Sequence, residues 1–123
     1  MATRNAAREH IGDRSVVVAT WSGLLNTDDG APIMLPQWPD RTVQVTGTFG
    51  TGGTVLIEGS NDGTTYNTIN DTAGSALSFS AAGFKVCNEV PLYLRPRVSA
   101  GDGTTSLKVA IVLRTPTAIV TKS

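Results

Sequence analysis

The chain has 123 residues, ten basic and ten acidic side chains that cancel, and one cysteine, Cys87. That length is one domain, able to bury roughly two-thirds of its unfolded surface. A single cysteine excludes an intrachain disulfide scaffold, and without excess Lys and Arg no nucleic-acid partner is expected.

No run approaches the ~18 consecutive apolar residues of a membrane span, so no membrane partner is expected. The opening "MATRNAAREHIGDRS" has no apolar run after its arginines and does not read as a secretory signal. The composition is rich in Thr, Gly, Ser and Val, a palette of branched side chains for pleated strands and Gly for tight turns. The charges are segregated: residues 1–24 carry +1, 25–71 carry −5 and 72–123 carry +4. Such a chain either folds into a neutral blend or presents acidic and basic faces to a partner.

Residues 1–14 contain Arg4, Arg8 and Arg14, and only a weak helical pattern in "AAREH". They read as an arm with too few apolar residues to join a core. Its contacts are expected mainly outside its own sandwich, in binding rather than folding. The domain proper spans 15–114, followed by a tail at 115–123. "SVVVATW" (15–21) is the first strand, and 22–40 is a long connection broken by Asp29-Gly30, Pro32, Pro36 and Pro39. "RTVQVTGTF" (41–49) alternates, with Val43, Val45, Gly47 and Phe49 on one side. Further strands are predicted at 54–60, 75–80, 84–89, 92–99 and 105–114. Seven or eight short strands without a convincing helix predict an all-β fold, a β-sandwich or jelly roll with an extended N-terminal arm.

Two acidic turns test for a ligand site. Asp102-Gly103 reads as a two-residue hairpin turn, which places Val98 beside Leu107, Pro96 beside Val109, Leu94 beside Ile111 and Leu92 beside Leu113. Asn61-Asp62-Gly63 reads as a three-residue hairpin loop with Gly63 left-handed, Val55 opposite Ile69 and Glu58 opposite Tyr66. Calcium is not expected there, because the twelfth position of an EF-hand pattern falls on Ile69 and no helices flank the loop. His10 is the only histidine, Cys87 reads as a small core residue, and "GTGG" lacks the Lys and helix of a phosphate loop. No catalytic, cofactor-binding or metal residues are expected, and the chain is not expected to be an enzyme.

The candidate interface residues are Arg4, Arg8 and Arg14 of the arm, together with Trp38, Tyr93, Arg95, Arg97 and Lys108. Arg95, Arg97 and Lys108 crowd one outward face beside Tyr93 in the hairpin reading. That face is either simply solvated or docks an acidic surface. Trp38, between Pro36 and Pro39, either plugs one end of the sandwich or anchors a subunit interface.

"VQVTGTFGTGGTVLIEGSNDGTTYNTI", "ALSFSAAG" and "LYLRPRVSAGDGTTSLKVAIVLR", within 41–114, resemble the head decoration, or cement, proteins encoded beside the major capsid protein in tailed bacteriophages. The motifs are mostly β-hairpin grammar, and no catalytic motif is carried over. The resemblance implies a sandwich or jelly roll that binds the outside of the assembled capsid, with the major capsid protein and itself, as a homotrimer, for partners. It implies a location on the outer capsid surface of the virion after synthesis in the bacterial host cytoplasm. Two other readings stay open: a carbohydrate-binding β-sandwich, and another tail or head–tail component of the virion.

Overall fold

The computed structural model describes residues 2–11, 16–35 and 38–115. Its strands are β1 (Thr3–Arg4), β2 (Ala7–Ile11), β3 (Val16–Leu25), β4 (Asp29–Gly30), β5 (Asp40–Thr48), β6 (Thr54–Ser60), β7 (Asn67–Thr68), β8 (Ser78–Phe79), β9 (Gly83–Val86), β10 (Tyr93–Ala100) and β11 (Ser106–Arg114). One sheet runs β2-β3-β11-β5-β9; the other runs β1-β4-β10-β6-β7, with β8 also on β6. All pairings are antiparallel except the parallel contact of β1 with β4. With β3, β11, β5 and β9 in one layer and β4, β10, β6 and β8 in the other, the chain is a β-sandwich with the winding of a jelly roll.

The alternation in the sequence becomes the core. Leu107, Val109, Ile111 and Leu113 of β11 face inward with Val43 and Val45 of β5 and Val17, Ala19 and Trp21 of β3. From the other sheet come Val55, Ile57, Phe79, Leu94 and Val98, and Ile33, Ile69, Leu77 and Cys87 belong to the same cluster. Each fully buried aliphatic side chain contributes about 1.5–3 kcal/mol of transfer free energy. Cys87 is a buried free thiol, as its place in an alternating segment predicts.

β3 runs past its predicted end. Its register against β11 shifts between Leu107 and Val109, where Ser22 and Gly23 bulge out. Gly23 has φ +65 and open space around it, the left-handed residue that such a bulge needs. The extra residue resets the alternation, so Trp21 and Leu24 are both completely buried although they are three apart.

The predicted hairpin of 92–99 with 105–114 is corrected. β10 pairs with β6 and β4, whereas β11 pairs with β3 and β5. The 101–105 turn crosses from one sheet to the other. The apolar residues assigned as lateral neighbours therefore face one another through the core. A period of two records which side of a strand is buried, not which strand lies beside it. The crossing is held to the 49–53 crossing between β5 and β6. The Asp102 carboxylate accepts the Thr51 N–H at 2.9 Å and the Thr104 N–H at 2.9 Å, and the Thr105 hydroxyl donates to the Phe49 carbonyl at 2.8 Å. These donors, led by Thr51, hold the Asp102 carboxyl well below the usual range.

The arm expectation is also corrected. Within the segment read as an arm, Thr3–Arg4 and Ala7–Ile11 are strands: β2 pairs with β3 from Ala7↔Thr20 to Ile11↔Val16, and β1 pairs with β4. One short segment thus borders both sheets. Contacts of 3–11 lie on its own sandwich, because edge pairing uses backbone groups and needs no apolar side chains.

Gly30 sits where β4 passes closest to the core. A Cβ there would stand 2.6 Å from Pro96 Cδ and 2.7 Å from Trp21 Cδ1. Gly30→Ala is expected to cost about 1–3 kcal/mol through overpacking, read as a lower urea midpoint with an unchanged m value.

Candidate functional site

The outer face of the six-stranded sheet gathers the charges. Glu58, on the outward side of β6, is only 5% exposed. Arg95 Nε donates to its Oε1 at 3.1 Å, and Arg97 Nε donates to its Oε2 at 2.8 Å. Arg95 Nη1 also stands 3.6 Å from Asp29 Oδ2, and its guanidinium lies over the Tyr66 ring, 3.9 Å from the centroid. The like-charged stripe expected along the last two strands is therefore not one face. Arg95 and Arg97 are on one sheet beside their own carboxylates, while Lys108 is exposed on the outside of the other. Tyr93 is half-buried on β10, against Gly63.

The segregated charges meet within one chain. The ion pairs of Arg95 and Arg97 with Glu58, of Arg95 with Asp29 and of Lys85 with Asp71 join the basic C-terminal part to the acidic middle. The neutral blend is the arrangement seen at these sites.

Asp28 and Asp29 hold the N-terminus. Asp28 accepts the Ala2 N–H at 2.9 Å, the Leu25 N–H at 2.9 Å and Arg4 Nε at 3.0 Å. The Thr3 hydroxyl donates to Asp29 at 2.7 Å. Burial pushes the Asp28 carboxyl up, but the Leu25, Arg4 and Ala2 hydrogen bonds and the Arg4 charge together outweigh it, leaving it below its ordinary value. Arg4 is thus a clamp residue. Arg8 is exposed on β2 and flanks a cleft with Asn5, Ala31, Pro32 and Ile33. Arg14 lies outside the described residues.

The Asn61-Asp62-Gly63 turn closes on itself. Gly63 has φ +77, the left-handed conformation predicted for it. Asp62 accepts the N–H groups of Thr65 and Thr64, each at 2.8 Å, and the Ser60 hydroxyl at 2.8 Å. Those bonds pull its carboxyl down to about 2. The loop is longer than three residues, so Glu58 opposes Thr68 rather than Tyr66, and Val55 opposes Phe79 rather than Ile69 because β8 replaces β7 alongside the start of β6. The displaced Tyr66 is the ring that Arg95 covers. Among the described residues, no group of three or more His, Cys, Asp and Glu side chains could hold a metal ion.

The outer face of the five-stranded sheet has a different character. One transverse row reads Glu9, Val18, Val112, Thr42, Val86; the next reads Ala7, Thr20, Ala110, Gln44, Phe84. Phe84 is 64% exposed, and Ile11 and Val86 are each 45% exposed. Charge is confined to the borders, at Glu9, Lys108 and the Asp40–Arg114 pair of positions. The sequence alternation places Gln44 opposite the Val43 side and leaves the Lys108 face either solvated or docking an acidic surface, and it does not assemble this apolar band. Its signal was the unbroken "SVVVAT" and "VAIV" runs, in which the outward positions are as apolar as the inward ones. Trp38 is half-buried against the core, with its ring 6.3 Å from that of His10.

Removing residues 1–11 would leave Asp28 and Asp29 without their N-terminal partners. An unfolding cost of about 3 kcal/mol or more is expected, measured as a lower urea midpoint. Acid should weaken the same clamp. The folded-state pKa of Asp28 is depressed, so its stabilisation is present above the unfolded value near 3.8 and is lost as pH falls through the lower folded value. Asp28→Asn should be less stable at neutral pH and show a shallower loss of stability in acid.

No protein-family model and no curated protein matches the chain by sequence. At the level of fold it is similar to the SPBc2 prophage-derived protein YomS, with a TM-score of 0.62 at 8% identity over 85% of this chain and 98% of that one. Weaker likenesses, which carry no argument, are to protein NMB1881 from Neisseria meningitidis (TM-score 0.42, 11% identity, 89% and 84% coverage) and to the Schizosaccharomyces pombe Cnp3 cupin domain (TM-score 0.43, 10% identity, 92% and 61% coverage). A likeness at 8% identity shows a shared fold with a phage-derived protein and nothing more specific.

Proposed function

We propose that this chain is a structural virion protein that binds the outer surface of an assembled phage capsid and stabilises it across subunit seams. The observation that carries the reading is the apolar band on the outside of the five-stranded sheet, with Phe84 and Val86 at its exposed edge and charges only around it. An exposed, charge-rimmed apolar patch of this kind marks a protein interaction site. The resemblance of 41–114 to decoration proteins suggests a capsid as the partner, and the fold shared with a prophage-derived protein supports a phage-related protein and no more.

In this reading the outer face of the five-stranded sheet lies on the major capsid protein, and Lys108 and Glu9 at its margin set orientation. The decorating unit is a homotrimer, in which each subunit repeats one contact and the ring closes. Stabilisation follows from linkage: a protein that binds the assembled shell and not its dispersed subunits shifts the equilibrium toward the shell. Three linked copies strengthen attachment, since each further contact forms at high effective concentration. The protein is made in the bacterial host cytoplasm and ends on the capsid exterior.

The test is co-sedimentation of the purified protein with capsids that lack it. Saturable binding is expected, and Phe84→Glu should weaken it by about tenfold or more, the range for a buried aromatic contact, with the thermal midpoint of the free protein nearly unchanged. Absence of binding to capsids, or equal binding by the Phe84 variant, would overturn the proposed face.

A further inference from the structure

Two clefts lie on opposite margins of the six-stranded sheet, and each is lined by one charged side chain. The first, about 530 Å³, is the cleft of Arg8, with Asn5, Pro32 and Ile33 also in its walls. The second, about 310 Å³, is lined by Glu89, Val90 and Pro91 together with Gly59 and Asn67. One transverse row, Ile33, Leu94, Gly59, Asn67, runs from the first cleft to the second. The clefts are therefore level with each other, three strand spacings or about 14 Å apart.

Arg4, Arg95 and Arg97 all find carboxylates in their own chain. Arg8 and Glu89 are left over: among the described residues, neither stands within ion-pair distance of an opposite charge. Glu89 accepts only from Asn70, through its N–H and, at 3.3 Å, through its side-chain amide. Each of the two charges also has an exposed apolar neighbour. Val90 is 44% exposed beside Glu89, and Met34 is 51% exposed next to Ile33 of the Arg8 cleft.

We infer that the Arg8 cleft of one copy of this chain receives the Glu89–Pro91 margin of a second copy, with Arg8 paired to Glu89 and Val90 packed beside Met34. The occupant is a second copy because the two surfaces that match, in sign of charge and in apolar neighbour, belong to the same chain. They are different surfaces, so the contact is heterologous, the kind that repeats from copy to copy around a ring. An exposed ion pair alone contributes little. Closing the clefts over Val90 and Met34 removes apolar surface from water and shields the pair from salt. The inference rests on the homotrimer of the proposed function and names the contact that its ring repeats.

The experiment is the mass of the purified chain by sedimentation equilibrium, over a concentration series and without capsids. A trimer is expected. Arg8→Glu should raise the concentration needed for assembly about tenfold or more, since like charges then face each other. Glu89→Arg should do the same, and the two changes combined should restore assembly, because the pair re-forms with its signs exchanged. If Glu89→Arg fails to fold, Arg8→Glu still decides, as that side chain is exposed and makes no ion pair among the described residues. A trimer unaltered by Arg8→Glu, or not restored in a folded double variant, would overturn this contact and leave the homotrimer standing. A wild-type chain that is monomeric at every concentration would overturn both.

Discussion

The dry layer between β10 and β11 is the constraint on which the rest depends. Leu107, Val109, Ile111 and Leu113 meet Leu94, Val98 and Ile57 through the centre of the molecule, all at or near zero exposure. For these strands to face rather than adjoin one another, the short 101–105 connection must cross between the sheets. The same demand falls on the 49–53 connection. Asp102 and the Thr105 hydroxyl join the two crossings. A polar staple on the outside thus keeps the geometry that the apolar interior requires.

Once the inner faces are dry, the two outer faces are free to differ. One carries Glu58 between Arg95 and Arg97, nearly buried yet fully paired. Such pairs add little net stability compared with apolar packing, but losing one partner strands the other. They therefore act as a register device, tying β6 to β10 and, through Asp29, β10 to β4. The other outer face has no such network, and its apolar rows lie open. The asymmetry between a self-satisfied face and an unsatisfied one gives the molecule a direction.

Much of this was legible in the residues. The strands at 40–48, 54–60 and 106–114 follow clean alternation, and the sandwich class follows from their spacing. What failed was pairing. Alternation in 92–99 and 105–114 suits a hairpin and a pair of facing strands equally well, because both bury the same side chains. β1 and β2 were missed for a different reason. The side chains of β2 are exposed throughout, so the strand leaves no hydrophobic pattern and is held by backbone pairing with β3, while residues 2–4 are held by aspartates more than twenty positions away. Arg95 and Arg97 were visible as a cluster, but Glu58, 37 and 39 residues earlier, was not recognisable as their partner. Arg41, only 3% exposed, read as an ordinary strand start, since nothing local marks it as buried.

The place of β11 bears on how the chain comes to be folded during synthesis. This strand is central to the five-stranded sheet, with β3 on one side and β5 on the other, and it follows β3 by most of the chain. Until residue 114 has left the ribosome, β3 and β5 have no common partner and their inward valines and Trp21 face water. Nucleation from local contacts is limited to the pairs close in sequence, β2 with β3 and β6 with β7 and β8. Folding is thus deferred to a late, long-range closure, the slow regime for β topologies. During that interval the open strand edges are the part of the nascent chain most exposed to aggregation or to chaperone capture.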